Sequence, residues 1–464
     1  MFEEATDVEL LDVMRDAQRG ERMAFARVLL AAGRFTVQRI AASGQDYLDW
    51  CVDYWDVVAA EIAAELGISR GRASSWMDYG QTLIERLPKL GEVFAAGAVD
   101  FRVIRIVDFR TALITDEQAL AAIDEMVAYK APGWNALSDK KLAQLLDWMV
   151  LDVDPDAVRV AQDSDDDRHF EVGPAQNGMA EIFGSVRATD GAALNARLAA
   201  LAASVCRDDP RSTRQRRADT ISALLAGAST MACQCGSEQC PAGANADATS
   251  NVVIHVVAEE ATVNGEGTTP GFVAGYGVIP PAMVREVAKT AKLKPVIVSK
   301  DIVAQSQYRP STASAELVRC RDLTCRWPGC DKPAWQADID HTVPYPWGPT
   351  HPSNNGCFCR FHHLMKTFHG GTGGWNVVQQ SDGTMVFTTP SGRVHTTKPF
   401  GAMLFPQLGV PTGELDLPDS PPPGENRGLK MPKRKRTRAQ ERAYRIQRER
   451  NANAARYAAD SPPF

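Results

Sequence analysis

Between residues 325 and 369 the chain carries Cys325, Cys330, Cys357 and Cys359 together with His341, His351, His362, His363 and His369, five of its 8 histidines. Such a density of soft and borderline ligands is the chemistry of metal binding rather than of packing. Cys325 and Cys330 flank a Pro328-Gly329 turn, and Cys359 and His362 form a Cys-x-x-His pair. Two short pairs of this kind can close a tetrahedron with no open position, which is the pattern of a structural zinc that stabilises folding directly. A second set, Asp340, His341, Asn354 and His363, has a different chemistry. Asp340 and His363 can share one divalent cation on an open side, while His341 is left to take a proton from water. Metal and base would then meet at a phosphate.

Regular elements explain how neighbouring residues serve different partners. Successive side chains of a strand point to opposite faces, so Asp340 and His341 near a strand end can face two ways. On a helix His362 and His363 point about 100° apart and can reach two different metals. A helix expected from about Ser314 to Asp322, carrying Arg319 and Arg321, leads into this region, with Cys320 a spare thiol. After it, Trp375-Asn-Val-Val, the turn at Ser381-Asp-Gly and Met385-Val-Phe-Thr-Thr predict a hairpin, with a further turn at Ser391-Gly392, that would complete a small core. Lys366 on the intervening helix is a candidate phosphate contact, or simply an exposed lysine.

The order Cys pair, Asp-His, Asn, Cys-x-x-His-His resembles the HNH endonuclease motif of the zinc-containing subtype, a ββα-metal finger. The resemblance implies His341 as general base, Asp340 and His363 as ligands of a catalytic Mg2+ or Mn2+, and Asn354, five positions before Cys359, as the residue fixing the loop and the base. It also implies products with 5′-phosphate and 3′-hydroxyl ends. Asn355, Gly356 and Cys357 depart from the apolar run that often follows the Asn. The longer stretch from Asp-His-Thr-Val-Pro-Tyr through His-His-Leu-Met-Lys-Thr-Phe to Gly-Gly-Trp is similar to actinobacterial 13E12-repeat proteins, which join such a finger to an upstream domain called DUF222.

With 464 residues the chain can build two or three domains, and 44% hydrophobic with 23% charged residues is an ordinary globular composition. The first residues lack the basic and apolar regions of a signal peptide, and Asn195 and Arg197 interrupt the apolar run from Ala192 to Val205, so no membrane span is expected. The expectation is a cytoplasmic protein whose ten cysteines serve metal or remain thiols rather than forming disulfides.

From about residue 7 to 150, apolar residues recur at three- and four-residue spacing, which predicts a helical array. Within it, Ile62 to Ala73 contains a helix, a turn at Gly67, and Ser69 placed to cap a second helix that begins with Arg70 and Arg72. This pattern fits a DNA-binding helix-turn-helix or a plain helical hairpin. Asp163, Asp165, Asp166 and Asp167 form an acidic linker, and a β-hairpin is predicted around Asn177-Gly178. A helix from about Asp190 to Val205 and another carrying Arg211, Arg214, Arg216 and Arg217 follow, similar to the DUF222 pattern; those arginines fit phosphate contacts or a solvated, acid-paired face. Cys233, Cys235 and Cys240 supply three thiols, for which Cys206 or His255 could be a fourth metal ligand, or which could lie in a mobile loop. The run Asn251 to Ala258 predicts a buried strand, with His255 a core residue, and a helix is expected near Val284 to Lys292. Gly275 and Gly277 lack the spacing of a phosphate loop.

Pro418-Asp-Ser-Pro-Pro-Pro-Gly reads as a linker. The tail beyond it holds Lys430, Lys433, Arg434, Lys435, Arg436, Arg438, Arg442, Arg445, Arg448 and Arg450 against a net charge of -6 for the whole chain. That asymmetry points to nucleic acid, with Lys433, Arg434, Lys435 and Arg436 as the leading contacts.

The sequence therefore predicts an α+β protein: residues 1–310 a mainly helical DUF222-like domain, 311–400 the zinc-containing ββα-metal nuclease domain, and 401–464 a linker and disordered basic tail. The expected activity is metal-dependent hydrolysis of DNA. The alternatives are a non-catalytic DNA-binding or regulatory protein whose finger is structural only, and an RNA-directed nuclease, for which no aromatic single-strand platform speaks.

Overall fold

Thr6 and Glu9 form a reciprocal capping box that starts α1 (Asp7–Ala42), the longest helix of the chain. The computed structural model describes residues 2–3, 5–43, 47–158, 168–174, 178–240, 254–289, 291–418 and 430–459; the Asp163–Asp167 linker and Asn177 lie outside them. After α1 come α2 (Tyr54–Leu66), α3 (Arg70–Gln81), a π-helical turn at Thr82–Arg86, α4 (Pro88–Ala95), α5 (Phe101–Thr111), α6 (Glu117–Lys130) and α7 (Asp139–Val153). The predicted helical array is thus present, with Ser69 capping α3 through the Arg72 amide. Helices α1 and α3 touch backbone to backbone. A Cβ on Gly80 would stand 2.2 Å from the Leu29 carbonyl oxygen, and one on Gly33 2.3 Å from the Gly80 carbonyl carbon, so this crossing accepts glycine only. Leu29, Leu83, Leu87, Leu90, Phe94, Val103, Ile104 and Leu146 fill the core beside it.

Two compact units divide the chain: Met1–Val160 with Pro295–Phe464, and Ala161–Lys294. In the second, β1 (His169–Val172) pairs antiparallel with β2 (Ile182–Ser185), and α8 (Ala188–Ala202) packs on α9 (Thr213–Leu225). Then β3 (Val256–Val257), α10 (Glu260–Val263), β4 (Gly271–Val273), β5 (Gly277–Ile279) and α11 (Pro281–Ala288) form a three-stranded antiparallel sheet with two helices. Of the strand expected over Asn251–Ala258, residues 251–253 lie outside the described set; among the described residues Ile254 is exposed, and Val256 and Val257 pair with β4. Arg211 pairs with Asp209 and Asp219, and Arg217 bonds Asn195, so these two arginines are engaged within the unit.

The first unit resumes with α12 (Thr312–Asp322). The finger follows as β6 (Ala337–His341), antiparallel to β7 (Asn355–Cys359), and α13 (Arg360–Phe368). A meander of β8 (Asn376–Gln379), β9 (Met385–Thr388) and β10 (Val394–Thr397), then α14 (Phe400–Leu404), completes it. The predicted ββα order and following hairpin are both there. The domain division differs from the sequence expectation, because the finger does not close its core alone. Trp50, Val52, Val57 and Ala60, from the segment leading into α2 and from α2 itself, share one buried cluster with Trp327, Phe358, Met365, Trp375 and Phe387. The Gly329 turn rests against the Ile68 carbonyl, and its φ of +71° with a Cβ position 2.6 Å from that oxygen requires glycine.

Residues 430–459, expected to be disordered, include α15 (Arg438–Ala459) and lie against the helical array. Met431 enters the finger's core, Lys433 bridges Trp50, and Ile446 packs on the helical core. Arg434 and Arg438 converge on Asp53 and Asp56 of the α2 N-terminus, and Arg450 pairs with Asp154. Apolar anchors between the arginines, and buried acids to receive them, are the physical reason. No described helix is long and apolar enough to cross a membrane.

Candidate metal centre and active site

Cys325 and Cys330 reach the clamp from the turn after α12, Cys359 from the end of β7, and His362 from the first turn of α13. One ligand atom from each lies within 4.8 Å of all the others. His362 Nδ1 is 3.5 Å from Cys325 Sγ and 3.3 Å from Cys359 Sγ. Tetrahedral zinc with ordinary Zn–S and Zn–N bonds would set these atoms roughly 3.6 Å apart. The Cys359 amide donates to Cys325 Sγ, and Trp327 stacks flat on the His362 ring. The bonds from Cys325 and Cys330, with help from His362, hold the Cys359 thiol far below its ordinary range, while burial pushes Cys325 well up. Without a cation the cluster can thus carry little negative charge, whereas a divalent metal lets all three sulfurs be thiolates. Together these Cys and His residues could hold a metal such as zinc, closed on all sides.

On the other side of β6, Asp340 Oδ1 faces His363 Nε2 at 3.5 Å. His363 Nδ1 lies 2.7 Å from Asp338 Oδ2, so the carboxylate accepts from Nδ1–H and the neutral ring keeps its Nε2 lone pair turned toward Asp340. A carboxylate oxygen and a ring nitrogen at this separation can share a divalent cation, with its remaining positions open to water and phosphate. Burial works to raise the Asp340 pKa, but Lys366, His363 and His341 outweigh it, and the carboxyl titrates below its ordinary value.

His341 sits at the end of β6 opposite Asn355, its ring stacked on Tyr308 at 5.4 Å. Its Nε2 is 2.8 Å from Thr350 Oγ1, and that hydroxyl is 2.6 Å from the Gln307 carbonyl oxygen. A hydroxyl has one hydrogen and a carbonyl can only accept, so Thr350 donates to Gln307 and accepts from His341 Nε2–H. Neutral His341 therefore keeps its proton on Nε2 and presents Nδ1 as the basic atom. Burial lowers its pKa, opposed by Asp340 and aided by Lys366, which favours the neutral form. Asn354 bonds the Val343 amide and carbonyl and the Pro349 carbonyl at 2.8, 3.0 and 3.0 Å, tying down the loop between β6 and β7.

Several side chains lie elsewhere than expected. Lys366 is not turned out to solvent: its Nζ lies 2.8 Å from Asp340 Oδ2 and donates to the His341 carbonyl at 2.6 Å, because α13 packs directly on β6. Lys433 pairs with Asp49, Arg434 with Asp53 and Asp56, and Arg436 with Glu441 while lying over Tyr444, whereas Lys435 is exposed. Arg70 pairs with Asp56 and lies 4.1 Å over the Phe361 ring, and Arg72 lies over Trp76, so the α2–α3 hairpin uses these arginines internally. His351 and His369 bond the backbone carbonyls of Ile302 and Val52.

Asp338, Thr350 and Tyr308 belong to the site and were not singled out from sequence. Asp338 was within reach of the strand rule, since it lies two residues before Asp340 and so on the same face. Beneath the site Arg321 and Asp322, both fully buried, form a pair that holds β7: Asp322 accepts from the Cys357 amide, and Arg321 donates to the Pro352 and Asn355 carbonyls. Removing one member of such a pair costs about 3–5 kcal/mol.

Comparison with known proteins gives the following. The family model described as "Domain of unknown function (DUF222)" matches residues 16–322, ending just ahead of Cys325. The chain is 41% identical over 475 residues to "Uncharacterized protein Rv3776" of Mycobacterium tuberculosis H37Rv, covering 96% of this chain and 90% of that one. It is 40% identical over 501 residues to "Uncharacterized protein MT2160" of the CDC 1551 strain, covering 98% and 90%. The "Uncharacterized protein in est 3'region" of Mycobacterium tuberculosis is 36% identical over 340 residues, 68% of this chain and 96% of that one. No solved structure matches.

Proposed function

For a chain that belongs to the DUF222 family, we propose that the finger is an HNH-type endonuclease that hydrolyses DNA phosphodiester bonds with a divalent cation. The observation that carries this reading is the pairing of a fixed base with a carboxylate and an imidazole that face each other. His341 Nδ1 is freed by the Nε2–Thr350 bond, and Asp340 Oδ1 and His363 Nε2 face each other 3.5 Å apart on the same finger. Mg2+ or Mn2+ bound there would supply Lewis-acid stabilisation of the phosphate oxygens and of the leaving 3′ oxygen. His341 takes the proton of the attacking water at Nδ1. Thr350 receives the Nε2–H throughout and so stabilises the imidazolium that forms. Asp338 keeps the His363 ring in the ligating tautomer, and Asn354 keeps the β6–β7 loop in place. The zinc clamp fixes the angle between β7 and α13, from which His363 projects. Products with 5′-phosphate and 3′-hydroxyl ends follow from cleavage on the 3′-oxygen side.

A second reading has one observation of its own. Lys366 Nζ lies 2.8 Å from Asp340 Oδ2, so an ammonium already balances the carboxylate that the cation would need. On that reading the protein is a non-catalytic DNA-binding or regulatory protein with a structural zinc.

Incubation of supercoiled plasmid with the purified chain and Mg2+ or Mn2+ separates the two. The nuclease gives open-circular product that EDTA abolishes and that Asp340→Ala fails to form. A plasmid merely retarded on the gel, with no new topological form in either metal, favours the binding protein.

A further inference from the structure

Four cysteines of the unit Ala161–Lys294 remain outside the nuclease reading. We propose that Cys206, Cys233, Cys235 and Cys240 bind a second zinc ion as a closed tetrathiolate site that staples the end of α8 to the segment following α9.

The spacing Cys-x-Cys-x4-Cys supplies three ligands from one short segment, and the fold brings Cys206 to them from four residues beyond α8. One sulfur from each of the four lies within 4.8 Å of all the others, and Cys206 Sγ and Cys233 Sγ stand 3.5 Å apart. Four thiolates around zinc at ordinary Zn–S length would be roughly 3.8 Å apart, whereas a disulfide would need about 2.05 Å. None of the four is in a disulfide. His255, the other possible fourth ligand, is not among the clustered groups.

The cradle is built by bonds that owe nothing to a metal. The Met231 amide donates to Ser204 Oγ, and the Gln234 amide to Asp209 Oδ2. Arg211, paired to the buried Asp209 at 2.7 Å, also donates to the Ala232 carbonyl. These contacts lay residues 231–234 alongside 204–211 and aim Cys233 at Cys206. Gly236, with φ at +73°, and the turn closed by the Cys240 amide on the Ser237 carbonyl then fold the segment back and bring in the last sulfur. Sulfur-only donor sets select zinc or an iron–sulfur cluster. The separations suit one ion at the centre of four sulfurs, which is zinc chemistry. Since metal binding and folding are linked in such sites, the ion would tighten a cradle that these bonds already shape.

The test is metal analysis of the full chain purified under reducing conditions, with thiol alkylation followed by mass mapping. The wild type is expected to hold two zinc ions per chain, one for each four-ligand cluster. Cys235→Ser/Cys240→Ser and, separately, Cys330→Ser should each retain one. In the unaltered protein, where misfolding of a variant is no concern, Cys206, Cys233, Cys235 and Cys240 should resist alkylation until a chelator is added. A wild type with one zinc that Cys330→Ser loses and Cys235→Ser/Cys240→Ser keeps overturns the proposal. So does equal alkylation of the four thiols with and without chelator, or a brown chromophore with bound iron in place of zinc.

Discussion

Thr350→Val tests the tautomer argument, because it removes one oxygen and keeps the side chain's shape. Thr350 is fully buried, and its hydroxyl is 2.8 Å from His341 Nε2 and 2.6 Å from the Gln307 carbonyl. Valine leaves the buried His341 Nε2–H without that partner, at a cost of about 1–3 kcal/mol in stability. The same loss frees the His341 ring to hold its proton on either nitrogen and withdraws the acceptor that stabilises the imidazolium. If most of that energy is expressed in the transition state, at roughly 1.4 kcal/mol per tenfold, the nicking rate falls about 5- to 150-fold. The loss should fall on kcat with KM unchanged, because Thr350 is fully buried and out of reach of a bound substrate. Single-turnover plasmid nicking, alongside zinc content and urea unfolding, reads all three quantities, and Thr350→Ser should recover most of the rate by restoring the hydroxyl. A zinc-loaded Thr350→Val protein nicking at the wild-type rate would refute the assignment of Nδ1 as the basic atom through this bond.

The pH profile follows from the burial of His341, which moves its pKa below the ordinary 6.5. A base is active when deprotonated, so cleavage should persist as pH falls below 6.5 and decline only through the lowered value; an acidic limb centred above 7 would count against it. Gly80→Ala drives a methyl to 2.2 Å from the Leu29 carbonyl and should destabilise the first unit by about 1–3 kcal/mol in urea unfolding, whereas Gly20→Ala, with open space around its Cβ position, should not. Replacing Arg434 and Arg438 together by alanine removes the tail's ion pairs to Asp53 and Asp56 and leaves Asp56 paired with Arg70. The amides of α15 should then exchange with solvent at least tenfold faster; unchanged exchange would mean that Ile446 and the Arg450 and Asn453 bonds hold the helix without these two arginines.

What could be read from sequence was whatever depends on local spacing. The Cys325–Cys330 turn and the Cys359-x-x-His362 pair announce one shared site because a hairpin and the first turn of a helix fix their ligands to within an ångström or so. Asp340 and His363 are legible for the same reason, one at a strand end and one on the next helix. Long-range partners were not legible. Nothing near Tyr308 or Thr350 in sequence announces that they flank His341, since both lie in loops without periodicity. The acid partners of the basic residues were not legible: Arg70, a helix-turn-helix or plain-hairpin arginine, Arg434, a nucleic-acid candidate, and Lys366, a phosphate contact or exposed lysine, stand within hydrogen-bonding distance of Asp56 and Asp340. The tail's order was hidden similarly: Met431 and Ile446 are sparse apolar anchors, and the clusters that receive them are built from residues far away in sequence. Also unseen in the sequence was that Trp50, Val52, Val57 and Ala60 share one buried cluster with residues of the ββα region.

The most direct measurement is Mn2+- or Mg2+-dependent nicking of supercoiled plasmid by wild-type protein beside His341→Ala, both shown to be folded and zinc-loaded. Nicking by the wild type alone, abolished by EDTA, is the predicted result, with the variant down by a factor of at least 100. Equal nicking by both would contradict the role of His341, and no nicking by either, with DNA retarded on the gel by both, would contradict the nuclease itself.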